Sequence, residues 1–311
     1  MTRSASIAPA NMRLCASRLV APALRWIASQ QLPTGELAAY KTVHGISQCW
    51  PCPFYSVLAM ELLGCAAPQT SGFSRRLYEA IPAAERSYMT SSVLTVRWRL
   101  RSYIASQQES DGTWRLYGRE GHSPVDPATT AFATAAFFDD RGARVEAVRA
   151  MAADLDRMPA SNIVSEVAVC YLWTCAGIDG FTRMWRILER SQERGVARLA
   201  ACWIFALCHE QIATPASDEI REALIAEVLK LLAEPGNCTS LGRTLALETV
   251  LILQHRGEEI EGMVAPLLFD CAAPWEWKPE PLAGDAWCPA FNLALLVNAV
   301  AKYLEGGVFS C

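Results

Sequence analysis

The sequence predicts an all-α protein in which twelve helices form a double ring, an α6/α6 toroid. Apolar residues recur at helical spacing along nearly the whole chain, and segments with the alternation typical of strands are scarce. The 311 residues are 52% hydrophobic and 19% charged, which is enough apolar material for a large core. The predicted helices also alternate between wholly apolar and amphipathic, as a ring of buried helices inside an outer ring requires.

The helical pattern divides into segments that are separated by short breaks rich in Gly, Pro or polar residues. The predicted helices span residues 15–30, 53–64, 86–107, 127–138, 143–156, 161–176, 180–192, 194–210, 217–233, 239–254, 257–270 and 289–304. None of the breaks has the composition of an interdomain linker. We therefore expect residues 1–311 to form a single domain.

The predicted helices differ in character along the chain. Those that start near residues 53, 127, 161, 194, 239 and 289 are rich in Ala, Leu, Val, Cys and aromatic residues. Their partners, among them 143–157, 181–193 and 217–234, keep a charged face. Because a helix that is apolar on all sides is buried, this alternation favours six inner helices wrapped by six outer ones. An open solenoid of helical pairs is the structural alternative.

Charge and hydropathy exclude several classes of function. The net charge is −4 and the sequence holds no block of Lys and Arg, so a nucleic-acid partner is not expected. No apolar run has the roughly 18 residues that a membrane span needs, and the N-terminal segment lacks the pattern of a signal peptide. Five of the twelve cysteines fall within helical apolar patterns and are interpreted as small buried thiols, and a reducing cytoplasm is the expected compartment. The sequence offers no basis for an oligomeric state.

An internal repeat supports a fold built from helical pairs. Ala28-Ser29-Gln30-Gln31 precedes the turn Thr34-Gly35-Glu36-Leu37, and Ala105-Ser106-Gln107-Gln108 precedes Ser110-Asp111-Gly112-Thr113-Trp114. The two copies are 77 residues apart, about two helical pairs. A weaker third version is Trp275-Glu276-Trp277.

This unit resembles the repeat of squalene–hopene-type terpene cyclases and of the β subunits of protein prenyltransferases. The clear match covers Ala105–Phe138, with a partial echo at Trp26–Leu63 and a faint one at Trp275–Leu296. The resemblance implies an α/α toroid in which Gln108 and Trp114 tie neighbouring helical pairs together.

Three of the predicted inner helices start with the same pattern, Cys52-Pro53, Asp126-Pro127 and Cys288-Pro289. Proline is suited to the first helical position, so the residue before it is the N-cap. Asp126 is a good N-cap, whereas cysteine is not a favoured one. A thiol at a helix N-terminus has a lowered pKa, which suits a metal ligand or a nucleophile. If the ring closes, Cys52, Asp126 and Cys288 lie around one mouth and are the candidate catalytic residues.

A zinc site is one interpretation of this trio, because Zn²⁺ accepts thiolate and carboxylate ligands together. Cys52, Asp126 and Cys288 would be the ligands, with Cys49, Asp285 or His44 as further donors. The prenyltransferases hold zinc with Asp, Cys and His at comparable positions. Here Cys288 stands where the similar segment has His, and Ala128 stands where the Asp-x-Cys pair has Cys.

The cyclase interpretation rests on Asp126-Pro127-Ala128-Thr129-Thr130-Ala131, which resembles the DxDD(T/S)A motif of class II terpene cyclases. The first Asp and the Thr-Ala end are kept, but Ala128 and Thr129 replace the central and last acids. The resemblance therefore implies the fold of these enzymes more strongly than their usual protonation chemistry.

Two histidines, His44 and His122, lie in the loops before the Cys52 and Asp126 caps and are candidate general acids or bases, with ordinary loop residues as the alternative. Aromatic residues on or near the inner helices predict a cavity for an apolar, isoprenoid-like ligand, although some of them must simply fill the core. The aromatic residues that lie on or near the predicted inner helices, and are therefore the predicted cavity residues, are Trp50, Phe54, Tyr55, Phe132, Trp173, Trp203, Trp287 and Phe291.

The sequence thus predicts an enzyme that acts on a small, largely apolar substrate by cyclisation, elimination or rearrangement in specialised metabolism. The rival enzyme class is zinc-dependent thiol or prenyl transfer centred on Cys52 and Cys288. A non-catalytic binding or partner protein on the same fold is the third alternative.

Overall fold

The fold is that of a mostly helical protein, as predicted. The computed structural model describes residues 9–64, 81, 83–137, 145–160, 162–211, 218–234, 239–253, 258–270, 280–282 and 284–305. Its helices are α1 (Pro9–Ser29), α2 (Pro53–Gly64), α3 (Arg86–Ser106), α4 (Pro127–Phe137), α5 (Val145–Leu155), α6 (Ile163–Cys175), α7 (Phe181–Arg190), α8 (Gly195–Gln211), α9 (Asp218–Ala233), α10 (Ser240–Ile252), α11 (Glu258–Ala265) and α12 (Pro289–Glu305). Each of the twelve predicted helices has its counterpart.

Two short helical segments of other types accompany the α-helices. A 3₁₀ turn spans Arg119–Gly121, and the π-helical turn Pro266–Asp270 continues α11. The third version of the repeat, Trp275-Glu276-Trp277, lies outside the described residues. No described helix is both long and apolar enough to cross a membrane.

The six apolar helices α2, α4, α6, α8, α10 and α12 pack in cyclic order. Each contacts the next one along the chain, and α12 contacts α2, so that the series of contacts returns to its start. We call these six helices the inner ring. Burial follows from their composition: on α12, every residue from Pro289 to Tyr303 is buried.

The other helices lie against the inner ring and against one another. Helix α7 contacts α6 and α8, α9 contacts α8 and α10, and α5 contacts α4 and α6. Helix α3 contacts α2 and α1, α1 contacts α12, and α11 contacts α10. On α7 the buried residues are Met184, Ile187 and Leu188, at the i, i+3, i+4 spacing of a helix with one apolar face.

A small sheet was not predicted. Strands β1 (Ala39–Val43), β2 (Ile46–Trp50) and β3 (Ala286–Trp287) form an antiparallel sheet in the order β2-β1-β3. His44 and Gly45 join β1 to β2 with φ of +51° and +78°, the sign that a type I′ hairpin turn needs at both positions. Strand β2 is exposed from Ile46 to Cys49, so it lacks the apolar alternation by which strands are recognised.

The internal repeat has a shared hydrogen-bond geometry. Gln31 donates its Nε2–H to the carbonyl of Gly35 at 2.7 Å, and Gln108 donates to the carbonyl of Gly112 at 3.2 Å. Gln31 also donates to the carbonyl of Val96 on α3 at 3.0 Å, which ties the first turn to the next outer helix. These glutamines are therefore structural, as the resemblance implied.

The same turns explain the glycine of the first copy and the tryptophan of the second in physical terms. Gly35 has φ of +109°, and a Cβ there would lie 2.8 Å from the carbonyl oxygen of Arg99, so only glycine fits. In the second copy, the buried indole of Trp114 donates to the carbonyl of Ile104 at 2.8 Å. The turn is thereby held against the end of α3.

We predict that Gln31→Ala lowers the free energy of unfolding by about 1–3 kcal/mol, because two carbonyl groups lose a part-buried donor. Gln30→Ala is the matched control, since among the described residues its amide donates to the exposed Ser29 hydroxyl, and it should change stability by less than about 0.5 kcal/mol. Urea unfolding followed by circular dichroism measures both. Equal effects of the two substitutions would contradict the structural role of Gln31.

Candidate functional site

Asp126 caps the N-terminus of α4. Its Oδ2 accepts a hydrogen bond from the backbone N–H of Thr129 at 2.7 Å and another from the Thr129 hydroxyl at 2.6 Å. Pro127 follows at the first helical position, where a missing N–H costs nothing. The carboxyl group is buried, with 8% of the residue exposed. Burial raises the pKa of Asp126 above its ordinary value, although the two hydrogen bonds from Thr129 act in the opposite direction.

The two cysteines occupy the same capping position on α2 and α12. The backbone N–H of Phe291 donates to Cys288 Sγ at 3.4 Å, and that of Tyr55 hydrogen-bonds to Cys52 in the same way. The Cys288 thiol itself donates to the carbonyl of Ala38 at 3.4 Å. Both side chains are 0% exposed. Each thiol therefore satisfies a helix end that a smaller apolar residue would leave open.

The structure brings the three predicted residues to the starts of three consecutive helices of the inner ring. Helix α2 contacts both α12 and α4. Cys52 lies near enough to the other two that negative charge on Cys288 or Asp126 would raise the pKa of its thiol. The convergence of residues 52, 126 and 288 depends entirely on α12 returning to α2.

The expectation of a lowered thiol pKa is wrong for both cysteines. Burial raises the pKa of Cys288 to about 12 and moves the pKa of Cys52 in the same direction, while the capping N–H groups lower both by less. The free energy needed to remove a thiolate from water exceeds the stabilisation that the helix N-terminus gives to its charge. Both groups are neutral thiols at physiological pH.

Zinc binding by Cys52, Asp126 and Cys288 gains no support from this geometry. Within the described parts of the chain, no three His, Cys, Asp or Glu side chains stand together as a metal site would require. Of the further donors considered for it, Cys49 and His44 are exposed on the hairpin, and Asp285 pairs with Lys41. Zinc ligation therefore stays a prediction, which metal analysis of protein purified without chelator tests.

The candidate histidines both lie at exposed turns. His44 is at the tip of the β1–β2 hairpin, beyond the last strand pair Val43 and Ile46. His122 follows the 3₁₀ turn with φ of +48° and is exposed. Among the described residues, the hydrogen bonds to the Asp126 carboxyl group come from Thr129 and not from either histidine, and the acid–base role of the histidines is still a prediction.

A polar contact that the sequence did not reveal joins the sheet to the loop before α4. Lys41 Nζ lies 2.8 Å from Asp285 Oδ2, and the Tyr117 hydroxyl donates to the same carboxylate. The ammonium also lies over the rings of Tyr117 and Trp50, 4.9 and 5.5 Å from their centroids. Burial raises the pKa of Asp285, but the hydrogen bonds from Lys41 and Tyr117 outweigh it and hold the pKa below its ordinary value. These contacts fix the sheet beside the starts of α12, α2 and α4.

Inside the inner ring, aromatic side chains contact one another in a continuous series. We call them the aromatic layer: Phe54 and Tyr55 on α2, Phe132 on α4, Tyr171 on α6, Trp203 on α8 and Phe291 on α12. The centroids of Trp203 and Phe291 are 6.3 Å apart although α10 separates their helices in the ring. This contact therefore crosses the interior, and five of the eight predicted cavity residues belong to the layer.

The other three predicted cavity residues lie elsewhere. Trp50 ends β2 and packs edge-on against Tyr117, with centroids 6.0 Å apart. Trp287, on β3, faces Tyr40 at 6.2 Å. Both are in the sheet rather than among the inner helices. Trp173 lies half-buried near the end of α6. The residue of α6 that belongs to the aromatic layer is Tyr171, which contacts Phe132.

A buried polar group on α10 and α12 was also missed. Asn298 Nδ2 donates to Glu248 Oε1 at 2.9 Å, and Lys302 Nζ lies 3.7 Å from the same oxygen. We call these residues the buried polar trio; all three are less than 10% exposed. The sequence carried a signal for it: Asn298 and Lys302 are four residues apart in the mostly apolar α12, and Glu248 is the acidic residue of α10.

A cavity of about 490 Å³ lies outside this interior. It is formed by α3, α4 and α5, and its lining includes the repeat residues Gln108 and Trp114 together with Arg101, Phe137 and Met151. Arg101 is held there over the ring of Phe137, at 4.7 Å from its centroid. The cavity thus belongs to the contact between neighbouring helical pairs and not to the mouth at Cys52, Asp126 and Cys288.

We predict that native protein treated with iodoacetamide at pH 8 is labelled at Cys49 and protected at Cys52 and Cys288. Burial raises the pKa of all three thiols, but Cys49 is exposed to the reagent on β2, whereas Cys52 and Cys288 are buried. Peptide mass spectrometry measures the labelled fraction of each, with urea-unfolded protein as the control in which all three react. Faster labelling of Cys52 or Cys288 than of Cys49 in the native protein would contradict the capping arrangement.

Comparison with known proteins connects this geometry to one class of fold. No protein-family model matches the chain, and no curated protein matches it. Among solved structures, it is similar to a substituted variant of the type II terpene cyclase MstE from Scytonema in complex with its substrate, geranylgeranyl dihydroxybenzoate. The TM-score is 0.51 at 12% sequence identity, and the match covers 95% of this chain and 99% of that chain. The chain therefore has a terpene cyclase-like fold over nearly its whole length.

Proposed function

We propose that this protein is a terpene cyclase-like enzyme that acts on a small, largely apolar isoprenoid substrate inside a closed α6/α6 toroid. The reaction would be a cyclisation, elimination or rearrangement in specialised metabolism. The observation that carries this proposal is the aromatic layer, which lies inside helices whose contacts return to their start. The fold match to MstE, a type II terpene cyclase seen with an isoprenoid substrate, supports the same class.

The aromatic layer suits the electronic demands of such a reaction. Cyclisation of an isoprenoid passes through carbocations, and the faces of Trp, Tyr and Phe rings attract a nearby positive charge. An apolar, water-excluding interior also protects a carbocation from capture by water. Phe54, Phe132 and Phe291 lie within two turns of the capped helix starts, so a substrate beside them extends toward Asp126.

Asp126 is the candidate proton donor. Both contacts from Thr129 go to Oδ2, so a proton on this carboxyl group would be carried by Oδ1. Burial, which raises the pKa of Asp126, favours the protonated form. In the proposed step the O–H bond breaks, the proton joins an alkene carbon, and a carbocation and a carboxylate remain. Ala128, at the position of the central acid in the motif that the segment resembles, cannot take this part.

We predict that Asp126→Asn loses at least about 100-fold in turnover while the protein keeps its stability, because Asn caps a helix as well as Asp but donates no acidic proton. The assay incubates linear isoprenoids, namely farnesol, geranylgeraniol, their diphosphates and geranylgeranyl dihydroxybenzoate, and detects products by mass spectrometry. Cys52→Ser and Cys288→Ser are the matched controls, since serine also caps, and turnover should stay within about threefold if these thiols only cap.

The outcomes separate the alternatives. Wild-type turnover in Asp126→Asn would remove Asp126 as the acid. A large loss of turnover in either serine variant, at unchanged stability, would instead favour chemistry at the cysteines. Saturable binding of the isoprenoids with no product from any of them would favour the non-catalytic binding protein.

A further inference from the structure

The buried polar trio stands at an unusual place for charged side chains. The side chain of Glu248 is 0% exposed and that of Lys302 is 5% exposed. A buried ion pair is weak as a stabilising device, because desolvation of the two charges offsets most of their attraction. Apolar residues of similar size would pack there at no such cost. The trio therefore calls for a role beyond holding α10 against α12.

On α12, the two residues of the trio lie on the face that is turned toward the interior of the inner ring. Phe291 points across the interior to Trp203, and Asn298 follows it by seven residues on α12. Seven residues are nearly two full helical turns, so Phe291 and Asn298 share a face, and Lys302 continues it one turn further. Glu248, which accepts from Asn298, lies at the same level on α10.

The same order of residues occurs on α2. Phe54 belongs to the aromatic layer, and Glu61 follows it by seven residues. Burial raises the pKa of Cys175, on α6, to about 12, and the charge of Glu61 adds to this effect although α4 separates the two helices in the ring. On α2 and α12, the inward face thus passes from aromatic near the capped start to polar near the C-terminal end.

The side chain of Asn298 carries a hydrogen-bond acceptor that no described residue contacts with a donor. A carboxylate only accepts hydrogen bonds, so the Asn298 atom facing Glu248 must be Nδ2, which leaves Oδ1 as the second polar atom of the amide. Asn298 is 4% exposed, and its Oδ1 accepts from no residue that the structure describes. The indole N–H of Trp203, in the aromatic layer, likewise lacks an acceptor among the described residues. Buried polar atoms of this kind are normally satisfied.

We propose that the buried polar trio binds a neutral hydroxyl group of the substrate, with the hydroxyl donating to Asn298 Oδ1 and the apolar body lying against the aromatic layer. This inference rests on the proposed function and deepens it by naming the substrate class, an apolar isoprenoid with an alcohol or phenol group. An anionic group is disfavoured, because Lys302 already neutralises Glu248 and a second anion there would be unpaired.

The test compares three ligands on the whole protein by quenching of tryptophan fluorescence: geranylgeraniol, its methyl ether and geranylgeranoic acid. We expect wild-type protein to bind the alcohol about tenfold more tightly than the ether, the difference that one hydrogen bond supplies. At pH 8 the carboxylate should bind more weakly than the alcohol.

Two variants locate the preference. Asn298→Leu should bind the alcohol about tenfold more weakly and leave the affinity for the ether unchanged. Glu248→Gln should act in the same direction without loss of side-chain volume, because the new amide can donate to Asn298 Oδ1 and occupy it. Asn292→Leu changes a buried asparagine that lies six residues nearer the start of the same helix, on a different face; it is the matched control and should keep the preference.

Equal affinity of wild-type protein for alcohol and ether, or a preference that survives in both variants, would overturn this inference and leave the proposed function standing. Absence of saturable binding for all three ligands would overturn the proposed function itself. The affinities of wild-type protein for the three ligands test the inference without any variant. It can therefore be contradicted even if Asn298→Leu fails to fold.

Discussion

The return of α12 to α2 is the contact on which the rest of the structure depends. In an open row of six apolar helices, one side of the row would be exposed, and the residues that now point into the ring would face water. Because the contacts of the inner ring come back to their start, the inward faces of all six helices meet, and Phe291 reaches Trp203 across the interior. The same return places Cys288 and Asp126 on either side of Cys52, although 236 residues separate the two cysteines.

The three capped helix starts show how one structural problem is solved with different side chains. Each inner helix leaves backbone N–H groups without partners at its start. The carboxyl group of Asp126 accepts one of these N–H groups on α4, and the thiols of Cys52 and Cys288 accept the corresponding N–H on α2 and α12. A thiol in this role is neutral because burial outweighs the effect of the helix end on its pKa. The chemistry proposed for the mouth therefore falls to Asp126, whose neutral form is the useful one for proton donation.

The interior combines two environments that suit the two ends of one ligand. Aromatic faces near the capped starts suit an apolar body and a positive charge in transit, and the buried polar trio suits a fixed neutral polar group. Binding energy at the trio would hold the substrate in one orientation, which is what a cyclisation needs if only one of several similar double bonds is to react. The two proposals are separable, because the first concerns Asp126 and the second concerns Asn298.

Local pattern determined the twelve helices, their alternation, the caps before Pro53, Pro127 and Pro289, and the structural role of Gln108 and Trp114, since each depends on residues near in sequence. The exposed β1–β2 hairpin escaped prediction because strands without a buried face leave no apolar alternation. Tertiary structure alone decided that Trp50 and Trp287 lie in the sheet, that the thiols of Cys52 and Cys288 have a raised pKa, and that Glu248 meets Asn298. Desolvation and contact across a ring are set by neighbours distant in sequence, and no local pattern records them.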